Sequence, residues 1–308
     1  MSGMPQPAFT VPLLPVEQML YRGDLVCIGR FSCPPGNELF QDSGPATCAC
    51  IVFPRSTVWI EHAGESRFVA DRTTVTLYNR RDRYRRAPID PRGDHADWIA
   101  IAPDVLHDII AAGDPDATPE RPFRTRRVAC GASAYLAERS LVQHIVREET
   151  PDRLLAEETA LSLAAAIAGA GRAPGRQTGR RTADVVEGAR ALLAGAYRSR
   201  LSLAALARAL DVSPYRLCHV FRESTGQTLS RHVDRLRLHA SIDLLASREG
   251  RLVDVAFAAG YSSHSHFTAR FRRAFGVTPS EVRRGLTASR RNDLHAQLES
   301  SSRTSRRR

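Results

Sequence analysis

Between about residues 25 and 101, apolar side chains recur in short runs, LVCIGRF, TCACIVF, TVWIEH, RFVA, TVTLYN and DWIAIA, separated by the turn-formers PPG, GPA, AGES and PRGD. Runs of this length at this spacing predict a small antiparallel barrel or jelly roll. The period then changes. From about residue 133 to 168 two stretches, YLAERSLVQHIV and LLAEETALSLAAAIA, carry apolar residues at i, i+3 and i+4 and predict two helices. Thr150-Pro151-Asp152 between them supplies a stop and a fresh start.

Residues 171–181 (GRAPGRQTGRR) contain no large apolar anchor and read as a flexible linker. Residues 287–308, ending in SSRTSRRR, lack a core-forming pattern and read as a basic disordered tail. The chain therefore divides into a first domain over 1–170, the linker 171–181, a second domain over 182–286 and the tail 287–308. Two domains suit a length of 308 residues.

Within the second domain the sequence repeats itself at an offset of 50 residues. Phe221-Arg222-Glu223-Ser224-Thr225-Gly226-Gln227-Thr228 lies over Phe271-Arg272-Arg273-Ala274-Phe275-Gly276-Val277-Thr278, and Ser230 lies over Ser280. Each copy follows a short helix, a turn and a second helix. In the first copy residues 203–209 form the short helix, Asp211 occupies the turn, and Ser213-Pro214 caps and starts the next helix. In the second copy residues 253–259 are the helix and Gly260 takes the turn, where a positive φ is easiest for glycine.

Along the first of these second helices, Leu217, Val220 and Phe221 fall on one side and Tyr215, Arg216, Cys218, His219 and Arg222 on the others. In the later copy Phe267 and Phe271 anchor the core, leaving His264, Ser265, Thr268, Ala269 and Arg272 available. This is helix-turn-helix geometry, which lays its second helix in the DNA major groove. Residues 231–247 between the copies read as one helix. As a rigid spacer it would let two reading helices enter successive major grooves, about 34 Å apart.

Charge sharpens this division of labour. The net +11 conceals −4 over residues 1–170 and +15 over residues 171–308, and every basic side chain is arginine. A guanidinium keeps its charge at biological pH and forks onto phosphate or guanine, so the second domain suits a polyanion.

The repeats resemble the AraC/XylS family of regulators, whose DNA-binding domain is a pair of helix-turn-helix units bridged by such a helix. The matching stretches are DVSPYRLCHVFRESTGQTLSRHVDRLRLHASIDLL and VAFAAGYSSHSHFTARFRRAFGVTPSEVRR, within about 100 residues that include the bridging R-L-R-L. The resemblance implies base-facing roles for Tyr215, Cys218 and His219 in one helix and His264, Ser265, Thr268 and Ala269 in the other. Ser213, Arg216, Arg222 and Arg272 complete the expected DNA-binding set, with Asp211 and Gly260 marking the turns. Many relatives carry Gln or Arg where this chain has Cys218 and Ala269, so guanine readout by Arg is missing at those points and the target sequence is not transferable.

The resemblance further implies an N-terminal sensor or dimerisation domain, often a cupin-like barrel. The expected fold is thus α+β: a cupin-like β-barrel with two dimerisation-type helices, then an all-α domain of two helix-turn-helix units. The expected function is sequence-specific transcriptional regulation, activation ahead of repression. Double-stranded DNA is the expected partner, with RNA polymerase, a small-molecule effector or protein partner for the barrel, and a homodimer through residues 133–168 as further candidates.

Other chemistries fare less well. The cysteines 27, 33, 48, 50, 130 and 218 have no C-x-x-C spacing, no secretory signal precedes them, and the small-apolar run near residues 161–170 is about half a bilayer span. The expectation is a cytoplasmic, nucleoid-associated protein with free thiols and no membrane contact. Cys33, Cys48, Cys50, His62 and His95 are the candidate metal ligands in the barrel; Cys48 and Cys50, at i, i+2 on a strand, point the same way and are placed to co-ligate zinc or respond to oxidation. His264 and His266 face different directions on a helix. Residues 1–170 contain no H-x-H followed by a distant Glu and His, and the chain has no Walker A run, G-x-S-x-G or H-E-x-x-H; no catalytic residue, metal or cofactor is assigned. Two alternatives stay open. An architectural binder would hold all DNA alike with a steep salt slope, and an enzyme with an appended DNA-binding domain would use a reactive thiol, for which no cysteine has a supporting signature.

Overall fold

The computed structural model describes residues 11–170, 179–247, 250–285, 293–294 and 296–298. Among them the N-terminal part is built on β1 (Glu17–Arg22), β2 (Val26–Cys33), β3 (Cys50–Pro54), β4 (Val58–His62), β5 (Phe68–Ala70), β6 (Thr74–Tyr78), β7 (Tyr84–Pro88), β8 (Asp94–Ile101) and β9 (Arg127–Ala129). One antiparallel sheet runs β1-β2-β8-β3-β6-β9 and a second runs β5-β4-β7. The central strands are buried on both faces. Val26, Ile28, Ile99 and Ile101 join the core beneath the helices, while Cys27, Phe31, Trp98 and Ala100, offset by one position, point into the barrel.

The strands β1, β7 and β9 were not among the expected runs. In β7 the sequence YRRAP carries no apolar alternation, yet Arg86 is buried because Asp94 Oδ2 accepts from it at 2.8 Å and its guanidinium lies 4.1 Å over the Phe31 ring. Cys48 precedes β3 in a bend, so it does not share a strand face with Cys50. After β8 come α1 (Pro103–Ala111), β9, α2 (Ala132–Arg147) and α3 (Arg153–Ala170).

The C-terminal part is all helical: α4 (Arg180–Ala196), α5 (Leu203–Ala209), α6 (Pro214–Thr225), α7 (Leu229–Ala246), α8 (Leu252–Ala258), α9 (His264–Phe275) and α10 (Pro279–Arg284). Helix α4 takes up the last two residues of the expected linker, whose residues 171–178 lie outside the described set. The expected tail is corrected more strongly. Residues 293–294 and 296–298 are helical, and Leu294 and Leu298, one turn apart, are buried in the main core. Two leucines in a polar background are too sparse a signal to read as an amphipathic helix. The remainder of 287–308 lies outside the described residues.

Two cores divide the helices unequally. Val185, Leu193, Leu206, Leu217, Phe221 and Leu236 form a separate core around α4, α5 and α6. The residues of α8, α9 and α10, including Val255, Phe267, Phe271, Phe275 and Val282, instead continue the core that holds β2, β8, α2 and α3.

Candidate nucleic-acid interface

Each helix-turn-helix unit is fixed by local chemistry that the repeat encodes. In the first, Asp211 adopts φ +51° in the turn, and Ser213 Oγ caps α6 by accepting from the Arg216 amide at 3.1 Å. In the second, Gly260 adopts φ +91°, and Ser263 Oγ accepts from the His266 amide at 3.3 Å. Gly260 is required twice over, because a Cβ there would also lie 2.9 Å from Arg198 Cα. Both α6 and α9 end alike, on Gly226 at φ +69° and Gly276 at φ +72°.

The buried stripe of α6 is Leu217, Val220 and Phe221, and that of α9 is Phe267, Phe271 and Phe275. Opposite these stripes, Ser213, Tyr215, Arg216, Cys218, His219 and Arg222 are all exposed, Tyr215 at 80%. The Tyr215 and His219 rings stack at 6.0 Å, and His219 Nε2 lies 3.4 Å from Glu223 Oε2. On α9, Ser265, Ala269 and Arg272 are exposed, whereas His264 and Thr268 are half-buried. The Thr268 hydroxyl is covered and has no hydrogen-bond partner among the described residues, so the structure withholds that donor from the surface. The arrangement offers two polar helix faces rich in arginine and imidazole, each backed by a rigid aromatic or aliphatic stripe.

Sequence reasoning missed the groups that hold the N-terminal part against these helices. From α4, Glu187 accepts from the Val69 amide at 2.7 Å and takes a bidentate pair from Arg127 at 3.0 and 2.7 Å. Arg190 donates to Asp71 at 3.2 Å, and His232 Nε2 of α7 lies 3.9 Å from the same carboxylate. Further along α7, His239 Nδ1 lies 2.7 Å from the Arg72 carbonyl, and Asp243 accepts from Arg72 Nε at 2.9 Å and from the Tyr135 hydroxyl at 3.2 Å. Arg139 of α2 pairs with Asp97 and Asp243. These contacts join residues from 42 to 171 positions apart, and no local pattern announces them.

Burial shapes the charge states here. It opposes ionisation of Asp71, yet Arg190, His232 and the Thr73 hydrogen bonds hold that carboxyl well below the usual range. Burial pulls His232 down to about 4, against Asp71, and brings His239 down to about 3, with Arg235 adding to the effect. Glu138, fully buried beside Arg139, is pushed up to about 8 by desolvation.

A cavity of about 70 Å³ lies between the two sheets, with Phe31, Cys48, Cys50, Tyr78, Tyr84 and Trp98 on its wall. The Trp98 indole N–H is buried without an acceptor among the described residues. The candidate metal ligands do not converge: His62 stacks among Phe68, Tyr78 and Tyr84, His95 is bonded to Ser32 and the Arg92 carbonyl, and the described residues hold no cluster of three or more His, Cys, Asp or Glu side chains fit for a metal ion. None of the described helices is long and apolar enough to cross a membrane.

Comparison with known proteins places the match on these helices. A helix-turn-helix domain family matches residues 206–285. The chain is 33% identical over 93 residues to the transcriptional activator RhaS of Escherichia fergusonii, covering 30% of this chain and 34% of that protein. It is 35% identical over 81 residues to the RhaS of an Escherichia coli strain, covering 26% and 29%. The chain thus spans about a third of the length of the curated relatives it matches. Among solved structures, a regulator from Chromobacterium violaceum with an AraC-type DNA-binding domain matches at 29% identity, TM-score 0.32, over 33% of this chain and 90% of that one. Unsaturated fatty acid-bound ToxT from Vibrio cholerae matches at 15% identity, TM-score 0.34, over 87% of this chain and 98% of that one.

Proposed function

We propose that the chain, whose residues 206–285 match a helix-turn-helix domain family and align with the activator RhaS, is a sequence-specific DNA-binding transcriptional regulator of AraC/XylS type whose N-terminal part, residues 1–170, senses an effector. The carrying observation is the pair of capped helices α6 and α9, each with its polar face turned out of its core, on the strongly basic half of the chain. Arginines at the far ends of the helices set register on phosphate, and Tyr215, Cys218, His219, His264, Ser265 and Ala269 read base edges. Thr268 joins them only if its side chain turns outward on DNA.

The barrel cavity is the proposed effector site, a small and mostly apolar space whose orphan Trp98 N–H calls for a hydrogen-bond acceptor on the ligand. Its occupancy reaches DNA through the Asp71, Glu187 and Asp243 contacts by shifting the balance between docked and released readers. The curated relatives are named transcriptional activators; extending activation to this chain makes RNA polymerase its partner on the nucleoid. Because α2 spends its apolar face on α3, α7 and α9, a homodimer through these helices would use what remains exposed, Val146 of α2 and Leu154 of α3, and sedimentation of the full chain checks it.

The deciding experiment is selection of a random duplex library by the full chain at physiological salt. Two enriched half-sites about one helical turn apart are expected, with His219→Ala and His264→Ala each altering base preference in one half-site only. Binding without enrichment would replace this reading with an architectural one.

A further inference from the structure

One face of α7 carries a junction that neither the repeat nor the base-reading positions account for. Asp234 and Arg237 lie three residues apart and so point the same way from the helix. Asp234 reaches the second unit: its Oδ1 accepts from the Tyr261 hydroxyl at 2.9 Å, and its Oδ2 accepts from Arg270 Nε of α9 at 3.0 Å. Arg237 reaches the first: its Nε donates to the Tyr197 carbonyl at 2.6 Å and its terminal nitrogen to the Ser199 carbonyl at 3.2 Å, where α4 has just ended.

A cation there satisfies carbonyls that the end of a helix leaves without amide partners and complements the negative end of its dipole. The Arg237 guanidinium also sits 5.9 Å from the Tyr261 ring centre. Tyr197 belongs to the separate core of the first unit and Tyr261 to the core of the second, so the two side chains of α7 bridge the two cores directly. The fit is tight, because a Cβ at Gly260 would lie 3.1 Å from Arg237 Nε as well as against Arg198.

We propose that Asp234 and Arg237 form the spacing gauge of the DNA interface, positioning residues that fix the separation and angle between α6 and α9 and thereby select the distance between the two half-sites while touching no base. The proposal rests on the reading of α6 and α9 as DNA-reading helices. Loss of Arg237 leaves the Tyr197 and Ser199 carbonyls without that donor and loosens the first unit from α7, while loss of Asp234 leaves the Tyr261 hydroxyl and Arg270 to find new partners and loosens the second; either change lets α6 and α9 drift apart in distance and angle.

The test reads the gauge twice on the full chain. Spin labels on Cys218, the exposed cysteine of α6, and on Ala269→Cys in α9, in a chain carrying Cys48→Ser and Cys50→Ser, report the inter-helix distance without DNA. Arg237→Ala is expected to turn a narrow distance distribution into a broad one, and Arg237→Lys to recover part of the narrowness. In parallel, a duplex library with variable spacers should show the preference for the best spacing over its neighbours falling about tenfold in Arg237→Ala, with bases inside each half-site unchanged. A distribution that stays narrow, or a uniform loss of affinity at an unchanged spacing preference, overturns the proposal. Should Arg237→Ala fail to fold, Tyr261→Phe removes only the hydroxyl on Asp234 and carries the same two readouts. A wild-type chain that enriches no sequence would sink the DNA-reading assignment alone, since the label distances still decide the gauge.

Discussion

The two helix-turn-helix units are alike in sequence and turn chemistry but not in what lies behind them. The first rests on a core of its own, from Val185 to Leu236, and meets the N-terminal part through charges on α4. The second has no private core: Phe267, Phe271 and Phe275 share theirs with Tyr135 and Leu136 of α2 and with the barrel strands. A repeat can therefore conserve a recognition surface while its two copies are supported in different ways. The second unit shares the interior of the N-terminal part, and the first is tied to that part by ion pairs.

The largest effect should come from cutting each core at equivalent places. Phe271→Ala is expected to cost about 4 kcal/mol and to raise amide hydrogen exchange in α2 as well as α9, because both lean on that ring. Phe221→Ala should cost a similar amount but confine the new exchange to α4, α5, α6 and the first half of α7, leaving α2 and α9 protected. Matching exchange maps for the two variants would erase the distinction drawn above.

A smaller effect distinguishes the charges buried where the two parts meet. Glu138, raised to about 8, favours the folded state while it keeps its proton, so its contribution is complete below about pH 4.5 and is lost as pH climbs through 8. Glu138→Gln does not titrate, and its stability relative to the parent should grow by about 2 kcal/mol between pH 5 and 8, measured by urea unfolding. The imidazoles act in the opposite sense. His232 and His239, lowered to about 4 and 3, contribute above about pH 6.5 and lose that contribution as pH falls through those values. In the Glu138→Gln chain this acid-side loss is unopposed and should be steeper. A difference between the two chains that does not vary with pH would show that the carboxyl is not held protonated.

The smallest effect compares the arginines that the repeat superposes. Arg222 and Arg272 are exposed at equivalent points near the ends of α6 and α9. Arg222→Ala and Arg272→Ala should each weaken binding to all sequences and reduce the salt slope by about 1. A loss confined to Arg222→Ala would mean that the second unit, held in the sensor's core, stays off the DNA until released.

Local order was legible from sequence wherever it arises from neighbours. The turns at Asp211 and Gly260, the Ser213 cap, the apolar stripes of α6 and α9 and the break between α2 and α3 all depend on residues within a few positions, and each lies where the residues indicated. What escaped depends on distant partners. Strand β7 reads as charged until Asp94 and Phe31 are seen to receive Arg86. The contacts of Asp71, Glu187 and Asp243 pair residues that sequence spacing cannot bring together, and Asp234 looks like any solvated acid on a helix until Tyr261 and Arg270 fold onto it. The same holds for the covered hydroxyl of Thr268, which helical position alone put on the reading face.

The burial of Leu294 and Leu298 beside Leu136 and Phe275 bears on how this protein is cut and joined. A chimera that transplants residues 182–286 onto a foreign sensor leaves behind both leucines and α2, the elements that line the floor beneath the second reader. Such a graft carries one self-sufficient helix-turn-helix unit and one with an open seam. A working exchange keeps α2 and the segment through residue 298 with the helix-turn-helix half, so the boundary along which this protein can be recombined runs through its three-dimensional core rather than through the linker in its sequence.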